Sequence, residues 1–358
     1  MFIAVLVLCV LGLAAGALLL RSVPFASVSP LTRRHRISVI IPARNEAKNL
    51  PRLIASLQAA DCAELDVIVV DDGSTDATSE VAAQAGATVL QGASLPAGWT
   101  GKTWACTQGA EIAQGELFLF LDADTWLAPE GLHRLLSAWE KFSGQRVALS
   151  WLPFHLMKAP YEQLSIFFNL LMAFGAGGFG AIGKPKLFGQ NLLISRELYV
   201  ASGGHRAVRS RILENLAMAE RIDAIAGRCV CFGGRETIHV RMFPEGFAQL
   251  CESWKKAFAD GATASGPAVL AISIVWLSAL CTVFLLLCFA PWPLCALAVL
   301  LYLSAVVQVF LFARQVGKYS FITALLYPAS LVFFFGLFSS SLLNRALHRQ
   351  VSWRGRRV

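Results

Sequence analysis

At 358 residues the chain has room for about two domains, and its composition limits what they can be: 56% of residues are hydrophobic, 15% are charged, and mean hydropathy is +0.58. Such values exclude a disordered chain and an ordinary soluble protein, and point to a membrane protein. The net charge of +8 comes partly from the tail after Asn344, with Arg345, Arg349, Arg354, Arg356 and Arg357, which reads as a basic cluster facing anionic lipid rather than nucleic acid.

The first element is an apolar run from Phe2 to Leu20, stopped by Arg21 and followed by Arg33, Arg34 and Arg36. It is long enough to cross a bilayer, and the basic residues place its C-terminal end in the cytoplasm. A cleaved signal peptide is the competing reading. The run exceeds a usual signal h-region, lacks a basic n-region and is followed by no clear small-residue cleavage site, so an uncleaved anchor over residues 1–21 is expected.

From Ile37 to Gly266, short apolar runs alternate with helical patterns, the signature of an α/β domain with a largely parallel sheet. Strands are expected at Ile37–Ile41, Asp66–Val70, Ala87–Leu90 and Leu117–Leu121, and helices at Ala47–Ala60, Ser79–Ala85 and Trp104–Ala113. Three of the strands end in polar loops, PARNE, DDGSTD and DADT. Open α/β sheets bind ligands outside the carboxyl ends of their strands, so these loops are expected to converge.

Glu162–Phe174 and Phe247–Ala262 then read as core or interfacial helices, about 161–175 and 247–262. Pro267–Ala290, Leu294–Ala313 and Phe321–Leu343 are further apolar spans without Asp, Glu, Lys, Arg or His, which disfavours an ion-coupled transporter. Three full crossings after a cytoplasmic domain would leave the basic tail outside, and Pro328 permits a broken or re-entrant segment that returns it. The nine cysteines form no C-x-x-C or paired Cys/His spacing and read as reduced structural thiols; the six histidines are likewise scattered.

Asp122 and Asp124 end the apolar run Leu117–Leu121. Carboxylates at i and i+2 of a strand that continued extended would share a face, and two adjacent anions need a cation. Oxygen ligands on a sheet edge favour Mg²⁺ or Mn²⁺, which reach substrate phosphates through one or two carboxylates, the competing reading being a solvated turn. Two glycine-rich stretches carry little. GWTGKT (Gly98–Thr103) fails as a P-loop because Pro96 occupies the place of its first glycine, and GAGGFG (Gly175–Gly180) follows a helical pattern and opens no helix.

ISVIIPARNEAKNLPRLIASL, DVIVVDDGSTDAT and LFLFLDADT together resemble the inverting family 2 glycosyltransferases of GT-A fold. More narrowly, LPAGWTGKTWACTQGA, LFGQNLLISRELYVASGGH and the terminal WRGR resemble the bacterial branch acting on membrane terpenoids, the carotenoid-acid (diaponeurosporenoate-type) and hopene-associated enzymes. The resemblance implies a cytoplasmic, Rossmann-like GT-A domain over 37–266, with a transmembrane region at 267–343 and a basic tail at 344–358. It implies a multi-pass protein of the bacterial inner membrane whose partners are a UDP-sugar and a lipid acceptor, with no nucleic acid.

Carried over by position, Pro42, Ala43, Arg44, Asn45 and Glu46 with Asp71 and Asp72 would hold the base and ribose. Lys102 would meet the diphosphate, Asp124 with Asp122 would bind Mg²⁺ or Mn²⁺, and Gln190, Trp254 and Lys255 would lie on the acceptor side. Processive relatives carry Q-x-x-R-W, whereas Gln249 to Trp254 here lacks the arginine and is one residue too long, so transfer of a single sugar is expected.

The chain departs from the family at one place. Members commonly carry Glu-Asp, the aspartate serving as general base, where this chain has Glu214-Asn215. Either Glu214 is the base, or the protein is a catalytically inactive sugar-nucleotide-binding scaffold, or the acceptor needs no base. The third is preferred: a lipid carboxylic acid, with a pKa of about 4 to 5, is already an anionic nucleophile at neutral pH. Asn215 would then donate a hydrogen bond to it, and a glycosyl ester would form.

Overall fold

The computed structural model describes residues 2–19, 23–175, 179, 182–261, 266–346, 352–353 and 356–357. Arg21, most of the GAGGFG stretch and the side chains of the basic tail lie outside the described residues. In chain order the elements begin α1 (Phe2–Leu19), β1 (His35–Ala43), α2 (Leu50–Gln58), β2 (Ala63–Asp71), α3 (Thr78–Gln84), β3 (Thr88–Gln91), α4 (Gly101–Ile112) and β4 (Leu117–Leu121). There follow β5 (Thr125–Leu127), α5 (Gly131–Glu140), β6 (Val147–Leu152), β7 (Phe154–His155), α6 (Ile166–Gly175), β8 (Asn191–Ser195), α7 (Arg196–Ala201) and α8 (Glu214–Ala224). The last are β9 (Arg228–Gly233), β10 (Ile238–Val240), α9 (Phe247–Gly261), α10 (Pro267–Phe289), α11 (Cys295–Val316), α12 (Phe321–Leu325) and α13 (Tyr327–Ala346).

Two compact units result. One joins Val23–His155 with Lys184–Arg241, and the other joins residues 1–22 with Leu156–Gly183 and Met242–Val358. The first is the sheet unit. Its seven strands run in the order β3-β2-β1-β4-β8-β6-β9, and only β8 is antiparallel to its neighbours. Successive side chains of a strand point to opposite faces, and both faces here are covered. Ile37, Val39 and Ile41 of β1, with Leu117, Leu119 and Leu121 of β4, enter one core, while Ile40, Phe118 and Phe120 enter the other. A small second sheet, β5-β10-β7, adjoins the chain beyond β4.

The apolar unit gathers α1, α6 and α9–α13. Helix α1 packs on α10 at two glycines, where a Cβ on Gly12 would come within 2.2 Å of Ala279 and one on Gly16 within 2.1 Å of the Trp276 ring. Small residues four apart allow this backbone approach. Gln308 of α11 satisfies its amide there, accepting from Trp276 Nε1 (2.8 Å) and donating to the Leu13 carbonyl (2.7 Å). Pro267–Phe289 and Trp292–Val316 are long and apolar enough to cross a membrane, whereas Val5–Leu19 and Tyr327–Leu343 are shorter. The third expected span is broken at Leu326, between α12 and α13, with Pro328 in the first turn of α13. The two segments expected as interfacial helices of the sheet domain, α6 and α9, belong instead to the apolar unit.

At the edge of the sheet where β1 begins, His35 is buried between two acids. Its Nδ1 lies 3.1 Å from Glu116 Oε1 and its Nε2 2.9 Å from Glu140 Oε1, while Thr32 N and Oγ1 donate to Glu140. Burial opposes ionisation of both carboxyls, but the Arg33 guanidinium (2.9 Å) and His35 at Glu116, and Thr32 and His35 at Glu140, outweigh it and hold both below the usual carboxylate range. A carboxyl with a depressed folded pKa contributes stability above its unfolded value of about 4.3 and loses it as pH falls through the folded value. The thermal midpoint is therefore expected to drop below about pH 4, and Glu140→Gln should flatten that acid limb while lowering the midpoint at neutral pH.

Candidate active site

The carboxyl ends of β2, β1 and β4 lie side by side, and the loops after the first two are cross-braced. Asn45 takes a left-handed conformation (φ 57°), which asparagine tolerates, and donates its backbone N–H to Ser74 Oγ at 3.0 Å. Its Oδ1 accepts from Thr75 N at 2.8 Å, and Glu46 N donates to Thr78 Oγ1 at 2.8 Å. The Asp71 carboxylate is buried and accepts from Ser74 N and Ser79 Oγ, while the Arg44 guanidinium lies 3.8 Å from Asp72 and also donates to the Asp72 carbonyl. Glu46 is buried and accepts from Asn49 Nδ2 at 2.7 Å. Asp71 and Glu46, expected as nucleotide contacts, thus spend their carboxylates on the loops themselves.

The third loop differs from its expectation. After β4 the chain turns instead of continuing extended, with Thr125 N and Oγ1 both donating to the Asp122 carbonyl. The premise that places two carboxylates on one strand face is not met. Asp122 lines the cleft, and half-buried Asp124 follows within the turn.

The cleft is open to solvent and is lined by Pro42, Lys102, Asp122, Gln190, Glu214 and Asn215 among others. Helix α4 starts behind the Thr100 cap, whose hydroxyl accepts from Thr103 N, and this start aims Lys102 into the cleft. The Lys102 ammonium sits 2.6 Å from Asp122 Oδ1 and 2.8 Å from Glu214 Oε1, and donates to the Gly189 carbonyl at 2.8 Å. Burial would lower the lysine's pKa, but the two carboxylates outweigh it and raise the value above the ordinary one. Burial in turn pushes Glu214 up, against the pull of Lys102. Glu214 is almost fully enclosed, while about a third of the Lys102 and Asp122 side chains faces the opening (32% and 28%).

Asn215 is also buried, and its Nδ2 lies 2.6 Å from the Phe188 carbonyl, 3.2 Å from that of Gly189 and 3.3 Å from that of Asn191. This corrects the expectation that Asn215 donates to an acceptor carboxylate, because its N–H groups already meet backbone oxygens. Gln190 carries a buried Oε1 without a hydrogen-bond partner among the described residues. Trp254 belongs to the apolar unit, stacked on Phe168 at 4.6 Å, flanked by Phe243 and donating to Ser165 Oγ. It is a packing residue rather than the expected acceptor platform; Lys255, beside it on α9, accepts from Ser341 Oγ through its carbonyl.

The cleft residues that sequence reasoning did not single out include Asn191, Cys106 and His205. Asn191 opens β8 and Cys106 stands one helical turn from Lys102; burial keeps the Cys106 thiol protonated by raising its pKa. His205 accepts or donates at Tyr199 OH (3.0 Å), and burial pushes it down to about 3, so it stays neutral. The GGH string was the one signal for it.

The mixed α/β unit with its mostly parallel central sheet has a GT-A-like fold. The mannosyltransferase PcManGT of Pyrobaculum calidifontis, solved with GDP-Man and Mn²⁺, has this fold at a TM-score of 0.56 and 18% identity over 97% of each chain. Residues 38–217 match the model of glycosyl transferase family 2. The 4,4'-diaponeurosporenoate glycosyltransferases of Staphylococcus aureus strains USA300 and MRSA252 are each 31% identical over 360 residues, covering 98% of this chain and 96% of theirs. The chain belongs to glycosyl transferase family 2 and is a glycosyltransferase.

The lysine bridge has a testable energetic signature. Removing one partner of a buried charge cluster leaves the others uncompensated. Lys102→Met is expected to lower the thermal midpoint, and adding Glu214→Gln should restore part of the loss. A double-mutant cycle between the two positions should give a coupling of about 1 to 3 kcal/mol.

Proposed function

We propose that this glycosyltransferase moves one sugar from a UDP-sugar to a membrane lipid carboxylic acid, with inversion, forming a glycosyl ester. The observation that carries the reading is the Lys102 ammonium held between Asp122 and Glu214 in a cleft at the carboxyl edge of the sheet. UDP as the donor nucleotide follows from the sequence resemblance. The acid acceptor is supported by the Staphylococcus aureus relatives, which are named for 4,4'-diaponeurosporenoate, a carboxylate. Helices α10 and α11 would fix the chain in the bacterial inner membrane as a multi-pass protein, with the sheet unit cytoplasmic.

The donor set suits Mg²⁺ or Mn²⁺. Asp122 and Asp124 offer hard oxygens, and the described residues hold no group of three or more His, Cys, Asp or Glu that could enclose an ion without help. Water and the donor's phosphates would complete the shell, as these cations prefer. When bound, the ion supplies Lewis-acid neutralisation of charge on the diphosphate. Lys102 then meets the leaving phosphate as a second cation, held in place by Glu214 and the Gly189 carbonyl. The cross-braced loops would keep Arg44 and Asp72 at the nucleoside end, and Gln190, whose Oε1 has no hydrogen-bond partner among the described residues, would lie beside the ligand.

In the transfer, an acceptor carboxylate oxygen bonds to the anomeric carbon as the bond from that carbon to the diphosphate oxygen breaks. The electron pair leaves with UDP, and no proton moves. General-base assistance, worth about 10² to 10⁴-fold for a hydroxyl, has no task here, so Glu214 serves Lys102.

Two outcomes are expected from the purified protein. With candidate lipid acids, UDP release should require the divalent ion and the lipid together, and the product should be cleaved by hydroxylamine; a base-stable glycoside would overturn the acid acceptor. In titration calorimetry, Mn²⁺ should bind weakly alone and at least about tenfold more tightly with UDP present, and GDP should substitute poorly.

A further inference from the structure

Asn215 is a buried amide that the proposed transfer does not use, at the position where an acid is customary. We propose that it is a positioning residue of the donor site: it clamps the Phe188–Asn191 turn and, through that turn, fixes Lys102 and Asp122. The inference rests on reading the cleft as a UDP-sugar site.

The turn is a hub of main-chain oxygens. The Gly189 carbonyl accepts from both Asn215 Nδ2 and Lys102 Nζ, at 3.2 and 2.8 Å. The next carbonyl, of Gln190, accepts from the backbone N–H of Asp122 at 2.9 Å, so the turn holds the residue that would meet the metal. On the β6 side it is anchored by Ser150, whose Oγ accepts from Phe188 N at 2.9 Å and donates to the Asn191 carbonyl at 3.0 Å. The Asn191 side chain bonds Trp151 N and O, both at 2.7 Å. On the α8 side the anchor is Asn215, reaching three carbonyls with one amino group.

An ionised aspartate is acceptor-only. At position 215 it would set its charge against three carbonyl oxygens, next to Glu214 and in the cleft that Asp122 also lines. The asparagine is therefore the residue the clamp requires, and not a base that has lost its function. Because the held groups are one cation and one carboxylate of the donor site, loosening the turn should weaken donor binding before acceptor binding.

The test uses the full chain in detergent and the variants Asn215→Asp and Asn215→Ala. Hydrogen exchange at the Asp122 amide and across residues 188–191 is expected to quicken in both, most in Asn215→Asp. The Kd for Mn²⁺ with UDP should rise by about tenfold or more, as for lost outer-shell partners, while the acceptor KM stays within about twofold. A purely structural role would instead lower the thermal midpoint and raise both constants together. Unchanged exchange in both variants overturns the clamp. So does an Asn215→Asp protein that binds donor normally and gains turnover of lipid alcohols, since position 215 would then be a base position. Should the wild-type chain bind no Mn²⁺ with UDP, the donor reading fails, and exchange alone decides the clamp. If Asn215→Asp does not fold, Asn215→Ala carries the exchange and affinity measurements.

Discussion

The sheet unit is organised around one ammonium and two carboxylates. Lys102, Asp122 and Glu214 come from the start of a helix, the end of a strand and the start of another helix, and they meet in the cleft with Glu214 enclosed and the other two facing its opening. A charge as enclosed as that of Glu214 must be matched. One lysine between two acids leaves the cluster short of positive charge. A diphosphate entering that cleft would meet net repulsion unless a second cation accompanied it, which is the physical ground for linking ion and nucleotide on the proposed reading.

The groups around the cluster divide into those that present charge and those that hold the presenters still. Asp71, Glu46 and Asn45 tie the first two loops to each other. Asn215, Ser150 and Asn191 do the same for the turn before β8. Apart from exposed Asn45, the polar residues of the second group are buried, because backbone donors and acceptors leaving a sheet need partners.

Much of the frame was legible in the sequence, and the reason lies in particular residues. The apolar runs ISVII and LFLFL, buried on both faces, mark parallel strands, and Lys102, Asp122 and Glu214, singled out from separate stretches of the sequence, line one cleft. What was not legible depends on partners distant in sequence. Asn215 bonds the Phe188 carbonyl across 27 residues, and a backbone oxygen has no signature in the residue that carries it. The turn at Asp122 depends on the Thr125 hydroxyl, which competes with strand continuation. Trp254 stacks on Phe168, a partner far away in sequence that nothing in the α9 segment announces.

The reversed direction of β8 has a consequence for how the protein is made. Synthesis proceeds from the N-terminus, and β1 to β4 can pair as soon as they emerge. The carbonyls that hold Lys102 and Asp122 belong to a segment that must first be translated and then slotted beside β4 in the opposite sense. A nascent chain ending before Gly189 therefore lacks both the carbonyls that hold Lys102 and Asp122 and the strand that lies beside β4, and the cleft is complete only after that late segment docks.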